Sequence, residues 1–160
     1  MSTLAPPVIL PADESHLDAM MLVMRGSFDP AWGEAWSRLQ LASALTLEGS
    51  FARRALDADG APIGFSLCRA VLDETELLLV AVLPEARGRG VGQGLIAQAL
   101  RDSRSRGSSR MFLEVRENNQ LARNLYHAAG FFDIGRRPDY YLGANGSRFG
   151  AITMQRNIVD

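Results

Sequence analysis

Hydrophobic and polar positions change period several times along the chain, and each change marks an element. Val8-Ile9-Leu10 is a short apolar run that predicts a first strand. Leu17, Met20, Met21 and Met24 recur at helical spacing behind Asp13, a residue suited to cap a helix, and predict a helix reaching about Arg25. Asp29-Pro30 marks a turn, after which Pro30 to about Leu45 reads as a second helix or a helix pair. Phe51 to Leu56 predicts a strand, reversed at Asp57-Ala58-Asp59-Gly60 into another from about Ile63 to Val71. Glu76 to Leu83 is almost wholly apolar, the pattern of a central strand covered on both faces.

Helical spacing returns with Val91, Leu95, Ile96, Ala99 and Leu100, and Gly107-Ser108 ends that segment. Met111 to Val115 predicts the next strand. Asn118 or Asn119 can cap a following helix whose apolar line is Leu121, Ala122, Leu125, Tyr126 and Ala129, with Gly130 as its left-handed stop. Phe131 to about Gly135 and Phe149 to Asn157 predict a closing antiparallel pair. The pattern is that of one mixed α/β domain over residues 1–160, with a strand-helix-strand core and no internal repeat.

The joint between that core's first strand and its helix carries the strongest chemical signal, Arg87-Gly88-Arg89-Gly90-Val91-Gly92. Glycines let a backbone approach an anion closely. The first N–H groups of a helix lack partners inside it, and the helix dipole favours negative charge there. A phosphate is the expected ligand. Spacing excludes two classes of it. The dinucleotide fingerprint would require glycine at Gln93 or Leu95, and the P-loop requires a lysine followed by Ser or Thr. All seventeen basic residues are arginine, which also removes a lysine Schiff base.

Charge distribution supports the anionic ligand. Six arginines (Arg87, Arg89, Arg101, Arg104, Arg106, Arg110) stand against Glu85 and Asp102, a local charge of +4 that leaves −5 for the remainder of a chain whose net charge is −1. Arg101, Arg104 and Arg106 also read simply as a solvated helix face. A near-neutral chain with a pI near 6.1 is not the basic domain expected of a nucleic-acid binder. Cys68 is the only cysteine, so no internal disulfide forms. Met1 to Pro7 has no signal-peptide pattern, and no apolar run reaches the ~20 residues of a membrane span. A cytoplasmic protein is expected, as a monomer or homodimer, with no nucleic-acid or membrane partner. His16 and His127 are too isolated to suggest a metal site, His127 reads as surface, and Cys68 reads as a small buried hydrophobe.

What remains for the loop is R/Q-x-x-G-x-G/A, met by Arg87, Gly90 and Gly92 between a strand and a helix. In this the chain resembles the GCN5-related N-acetyltransferases (GNAT), whose loop of this form holds the pyrophosphate of acetyl-coenzyme A. Leu113-Glu114-Val115-Arg116-Glu117-Asn118-Asn119, Leu125-Tyr126 and Ala129-Gly130-Phe131 resemble the RimI-like branch, which acetylates protein N-termini, its namesake that of a ribosomal protein. The resemblance runs from about Ala61 to Tyr141. It implies the GNAT fold, with a mostly antiparallel central sheet around an acetyl-coenzyme A-binding core, and acetyl-coenzyme A as co-substrate without a metal.

The resemblance also implies roles. Arg87, Gly88, Arg89, Gly90, Val91, Gly92 and Gln93 would bind the cofactor, the loop from Gly88 to Gln93 holding its pyrophosphate, and the main chain of Val80, Ala81 and Val82 its pantetheine arm. Asn119 matches a cofactor-contacting asparagine and is equally an N-cap. Glu114, in L-E-V-R context, matches the base that takes the amine's proton; from the residues alone it reads as well as an ion-pair partner of Arg116. Tyr126, on an apolar helical line, is either core or the acid that protonates the departing sulfur.

The acceptor is less sharply indicated. Phe28 to Trp36 occupies the place of the branch's acceptor-facing helices, and Arg136-Arg137-Pro138-Asp139-Tyr140-Tyr141 resembles its R-R-x-Y-Y with one extra residue. Phe149-Gly150-Ala151 replaces its E-D-A. A protein N-terminal α-amine is the leading acceptor. A small amine such as a polyamine, amino acid or aminoglycoside is the second, and a non-catalytic acyl-coenzyme A-binding module is the alternative of another class.

Overall fold

The computed structural model of the protein describes residues 6–29 and 32–158; the stretch 1–5, read for a signal peptide, and the turn residues Pro30 and Ala31 lie outside the described residues. The strands are β1 (Val8–Ala12), β2 (Ser50–Leu56), β3 (Pro62–Val71), β4 (Glu74–Val82), β5 (Arg110–Arg116), β6 (Phe132–Leu142) and β7 (Arg148–Asn157). The helices are α1 (Leu17–Ser27), α2 (Arg38–Thr46), α3 (Val91–Ser105) and α4 (Gln120–Ala128). One seven-stranded sheet runs β1-β2-β3-β4-β5-β7-β6, antiparallel throughout except for β4 beside β5. That single parallel pair is joined through α3, because parallel neighbours need a crossover.

The helices cover both faces. Met20, Met21, Val23 and Met24 of α1, with Leu41 and Ala44 of α2, pack on Phe65, Leu67, Leu79 and Ala81. On the other face Ile96 and Ala99 of α3 meet Leu77, Met111, Leu113, Val115 and Met154, with Ala122, Leu125 and Tyr126 of α4 against them. Cys68 is buried in this second layer, its thiol pushed far up by burial. No helix among the described residues is long and apolar enough to cross a membrane.

Two departures from ideal pairing shape the centre of the sheet. First, β4 and β5 pair only from Glu74↔Arg110 to Glu76↔Phe112. From Leu77 to Val82 the β5-facing edge of β4 has no strand partner, and the sheet opens there. Second, the register slips between Leu67↔Leu79 and Cys68↔Leu77, which leaves Leu78 as a bulge. An extra residue reverses the alternation, so Leu77 faces the α3 layer whereas Leu79 faces α1.

Two elements differ from the sequence expectation. The second helix starts at Arg38, not at Pro30: Ser37 caps it reciprocally with Gln40, and Glu34 to Trp36 is irregular chain. Strand β6 continues to Leu142, well past Gly135. Pro138, Asp139 and Tyr140 are taken up as a bulge between Arg137↔Ala151 and Tyr141↔Phe149, with Asp139 at φ 55°.

Candidate active site

The opening between β4 and β5 leads into a cleft of about 530 Å³. Val80, Ala81 and Val82 form its floor, Arg87, Gly88 and Gly90 to Gln93 its one end, and Asn119 with Leu121, Ala122, Leu125 and Tyr126 of α4 a wall. Phe28, Asp29, Trp32, Glu34 and Arg116 line its far end. The cofactor residues read from the sequence therefore converge on one cavity, with Arg89 as the exception. Arg89 borders a separate depression beside Pro6, Pro7, Asp57 and Asp59.

The loop has the geometry an anion needs. Gly88 and Gly90 both sit at φ 78°, a left-handed conformation that a side chain disfavours, and open space surrounds the position of a Cβ at Gly88. The first bond of α3 runs from the Gly94 N–H to the Gly90 carbonyl, so the N–H groups of Val91, Gly92 and Gln93 have no partner within the helix. Gly92 also permits close packing: a Cβ there would lie 3.1 Å from Leu125, where α3 and α4 meet. Asn119 caps α4 by accepting from the Ala122 N–H at 3.2 Å, and its amide nitrogen remains a donor at the cleft wall.

The guanidinium of Arg87, exposed at the cleft's edge, is engaged with main-chain carbonyls. Its Nε donates to the Val82 carbonyl at 3.2 Å and an Nη to the Ser27 carbonyl at 3.0 Å.

Tyr126 and Glu114 flank the opening from opposite faces of the sheet. Tyr126 packs edge-on to Phe131 in the α3–α4 layer, with ring centroids 5.9 Å apart. Burial, and next the charge of Glu34, push its phenol far up, so it stays protonated at any physiological pH. Glu114 sits two residues beyond the last β4–β5 pair, outside the cleft lining, with its side chain on the face opposite Leu113 and Val115. Its Oε1 lies 3.0 Å from Arg137 Nε. Its Oε2 is buried without a protein partner among the described residues, a rare condition for a carboxylate oxygen.

The strand-local partner considered for Glu114 is engaged elsewhere. Arg116 is buried, stacks 3.9 Å over the Trp32 ring and donates from Nε to Glu34 at 3.0 Å. These contacts fasten Trp32 to Trp36 over the end of β5.

Several groups around the opening had no clear signal in the sequence. Glu76 is a half-buried carboxylate raised by burial first and then by the charge of Glu114. Its only mark in the sequence is an acid opening an apolar run. Tyr141 is raised by burial and then by Glu34, and also feels Tyr140, Glu114 and Tyr126. Glu34 acquires meaning only through Arg116, 82 residues away. His127 is at the surface, paired with Asp133. Among the described residues, no group of three His, Cys, Asp or Glu residues could hold a metal ion.

The sequence profile of the acetyltransferase (GNAT) family matches residues 17–131. The ribosomal protein bS18-alanine N-acetyltransferase of Haemophilus influenzae is 39% identical over 92 residues, 58% of this chain and 62% of that protein. The chain thus spans about three fifths of the length of such curated relatives. Among solved structures, the Escherichia coli ribosomal-protein-S18-alanine N-acetyltransferase superposes with a TM-score of 0.85 at 28% identity, covering 96% of this chain and 95% of that one. A Sinorhizobium meliloti phosphinothricin acetyltransferase in complex with acetyl-coenzyme A shares the fold, with a TM-score of 0.80 at 21% identity over 96% and 89% of the two chains.

Proposed function

The chain belongs to the acetyltransferase (GNAT) family, and from that premise we propose that it moves the acetyl group of acetyl-coenzyme A to a primary amine, the N-terminal α-amine of a protein, in the cytoplasm. The observation that carries this reading is the continuity of one cleft, from a glycine loop at a helix N-terminus, along an unpaired strand edge, to a partly buried phenol. The bS18-alanine acetyltransferases to which the chain is similar support the choice of acceptor.

Backbone N–H groups of Gly88 to Gln93 would hold the pyrophosphate of acetyl-coenzyme A. The free edge of β4 at Val80–Val82 would bind its amide arm and bring the thioester to the opening. Asn119 would contact the same arm from the wall. An α-amine, with a pKa near 7.7–8.0, is mostly protonated at neutral pH and must lose that proton to become nucleophilic. Glu114 accepts that proton. As the N–C bond forms, an oriented β4 N–H stabilises the carbonyl oxygen's negative charge. Cleavage of the C–S bond releases a thiolate, to which Tyr126 passes its proton.

Two measurements test this. Coenzyme A thiol release is expected with a short peptide beginning Ala-Arg and not with its N-terminally blocked twin. Release with neither, but with small amines, moves the acceptor to that class; tight acetyl-coenzyme A binding without turnover on any amine leaves a binding module. Tyr126→Phe is expected to slow the chemical step about 10²-fold in single-turnover kinetics, at the lower end for removal of a general acid. The wild-type rate is expected not to decline from phenol ionisation up to about pH 10, the ordinary phenol pKa, because burial keeps this one protonated beyond it. An unchanged single-turnover rate in Tyr126→Phe removes the residue from the mechanism.

A further inference from the structure

The loop's first arginine does something its motif does not announce. The Arg87 guanidinium bridges two carbonyls, Val82 at the end of β4 and Ser27 at the last residue of α1. The final carbonyls of a helix have no partner inside it, and a cation there is favoured by the dipole. Arg87 thus caps α1 from the phosphate loop. The chain leaving α1 is extended at Phe28, and Phe28, Asp29, Trp32 and Glu34 line the far end of the cleft. At its other end this segment is fastened by Arg116 to Glu34 and Trp32. Between α1 and α2 it is therefore held at both ends by arginines, one rooted in the phosphate loop and one in β5.

We infer that Arg87 is a positioning residue for the acceptor, clamping the Phe28–Trp36 segment to the phosphate loop, and that its side chain is not a phosphate ligand. This rests on the transferase reading. The pyrophosphate is left to the backbone groups of Gly88 to Gln93, whose geometry does not involve the Arg87 fork. A guanidinium suits the clamp because its rigid donors reach two carbonyls at once, which an ammonium cannot reproduce.

The test compares Arg87→Ala and Arg87→Lys with wild type in three readouts: acetyl-coenzyme A affinity by calorimetry, amide exchange at Phe28, Asp29 and 32–36, and steady-state kinetics with the Ala-Arg peptide. Both variants are expected to bind acetyl-coenzyme A within about threefold of wild type, to exchange those amides about tenfold faster, and to raise the peptide KM about tenfold with kcat within about threefold. Loss of about tenfold or more in acetyl-coenzyme A affinity in Arg87→Ala, largely restored by the charge of Arg87→Lys, makes the side chain a phosphate ligand and overturns the inference. Unchanged amide exchange overturns it as well. Affinity and exchange need no turnover, so wild type that acetylates nothing refutes the transferase reading while these two still decide the role of Arg87. If Arg87→Ala does not fold, Arg87→Lys carries the same comparison.

Discussion

Replacing Glu114 with glutamine is expected to lower kcat for the peptide acceptor by about 10²–10⁴-fold, the range of a lost general base. Glutamine keeps the size of the side chain and an oxygen able to accept from Arg137, whose pair with Glu114 is mostly solvent-exposed on the arginine side. Folding and acetyl-coenzyme A affinity should therefore survive, and a thermal midpoint within about 3 °C of wild type, under about 1–1.5 kcal/mol for a chain of this length, would establish that. The expected loss follows from position. Glu114 stands just where β5 parts from β4, with one oxygen on Arg137 and the other buried without a partner among the described residues, an acceptor in want of a donor. An incoming ammonium supplies one. Turnover within about threefold of wild type at every pH from 6 to 9 assigns the proton to another group. Glu76, raised by burial beside Glu114, is then the first to mutate.

The glycine-loop end of the cleft was legible because it is local. The loop sits in six consecutive residues, and its glycines adopt the left-handed backbone their identity suggests. Val80 to Val82 and Tyr126 reach the same cavity because a strand, a loop and two helices in sequence order build it. The end of the cleft lined by Trp32 and Glu34 was not legible, because distant partners assemble it. Trp32 to Trp36 has helical-looking spacing, yet Arg116 holds Trp32 and Glu34, and Gly33 lies so close to the Leu142 carbonyl that a Cβ would fall 2.3 Å from it. Arg136 to Asp139 has the composition of a turn, and pairing with β7 overrides it by means of a bulge. Glu114 and Arg116 share a strand face at the spacing of an ion pair, but each finds its partner outside β5, Arg137 for one and Glu34 for the other. A lone sequence has no record of such pairings. The β4 bulge at Leu78 is hidden for a related reason, since an apolar run reads the same in either register.

Arg116→Ala is expected to destabilise the fold by about 3–5 kcal/mol, the cost of removing one member of a buried ion pair. The pair qualifies as buried, with Arg116 7% and Glu34 15% exposed in their side chains. Deleting the guanidinium leaves the Glu34 carboxylate desolvated with no cation, removes the stacking on Trp32, and leaves Asn118 Oδ1 without its donor. For a chain of this length the loss corresponds to a fall of about 6–20 °C in thermal midpoint. Glu34→Gln should cost less, because it removes the charge and keeps a group able to accept from Arg116. Combined with Arg116→Ala, it should restore part of the stability, a positive coupling of at least about 1 kcal/mol. The functional effect should be directional as well. Phe28 to Trp36 would loosen at the end that Arg116 holds, so peptide KM rises while acetyl-coenzyme A affinity, set at the opposite end of the cleft, changes little. A midpoint within about 2 °C of wild type, less than the shift expected for 1 kcal/mol, would mean that solvent reaches the pair freely and that the segment is held by Gly33 and Trp32 packing alone.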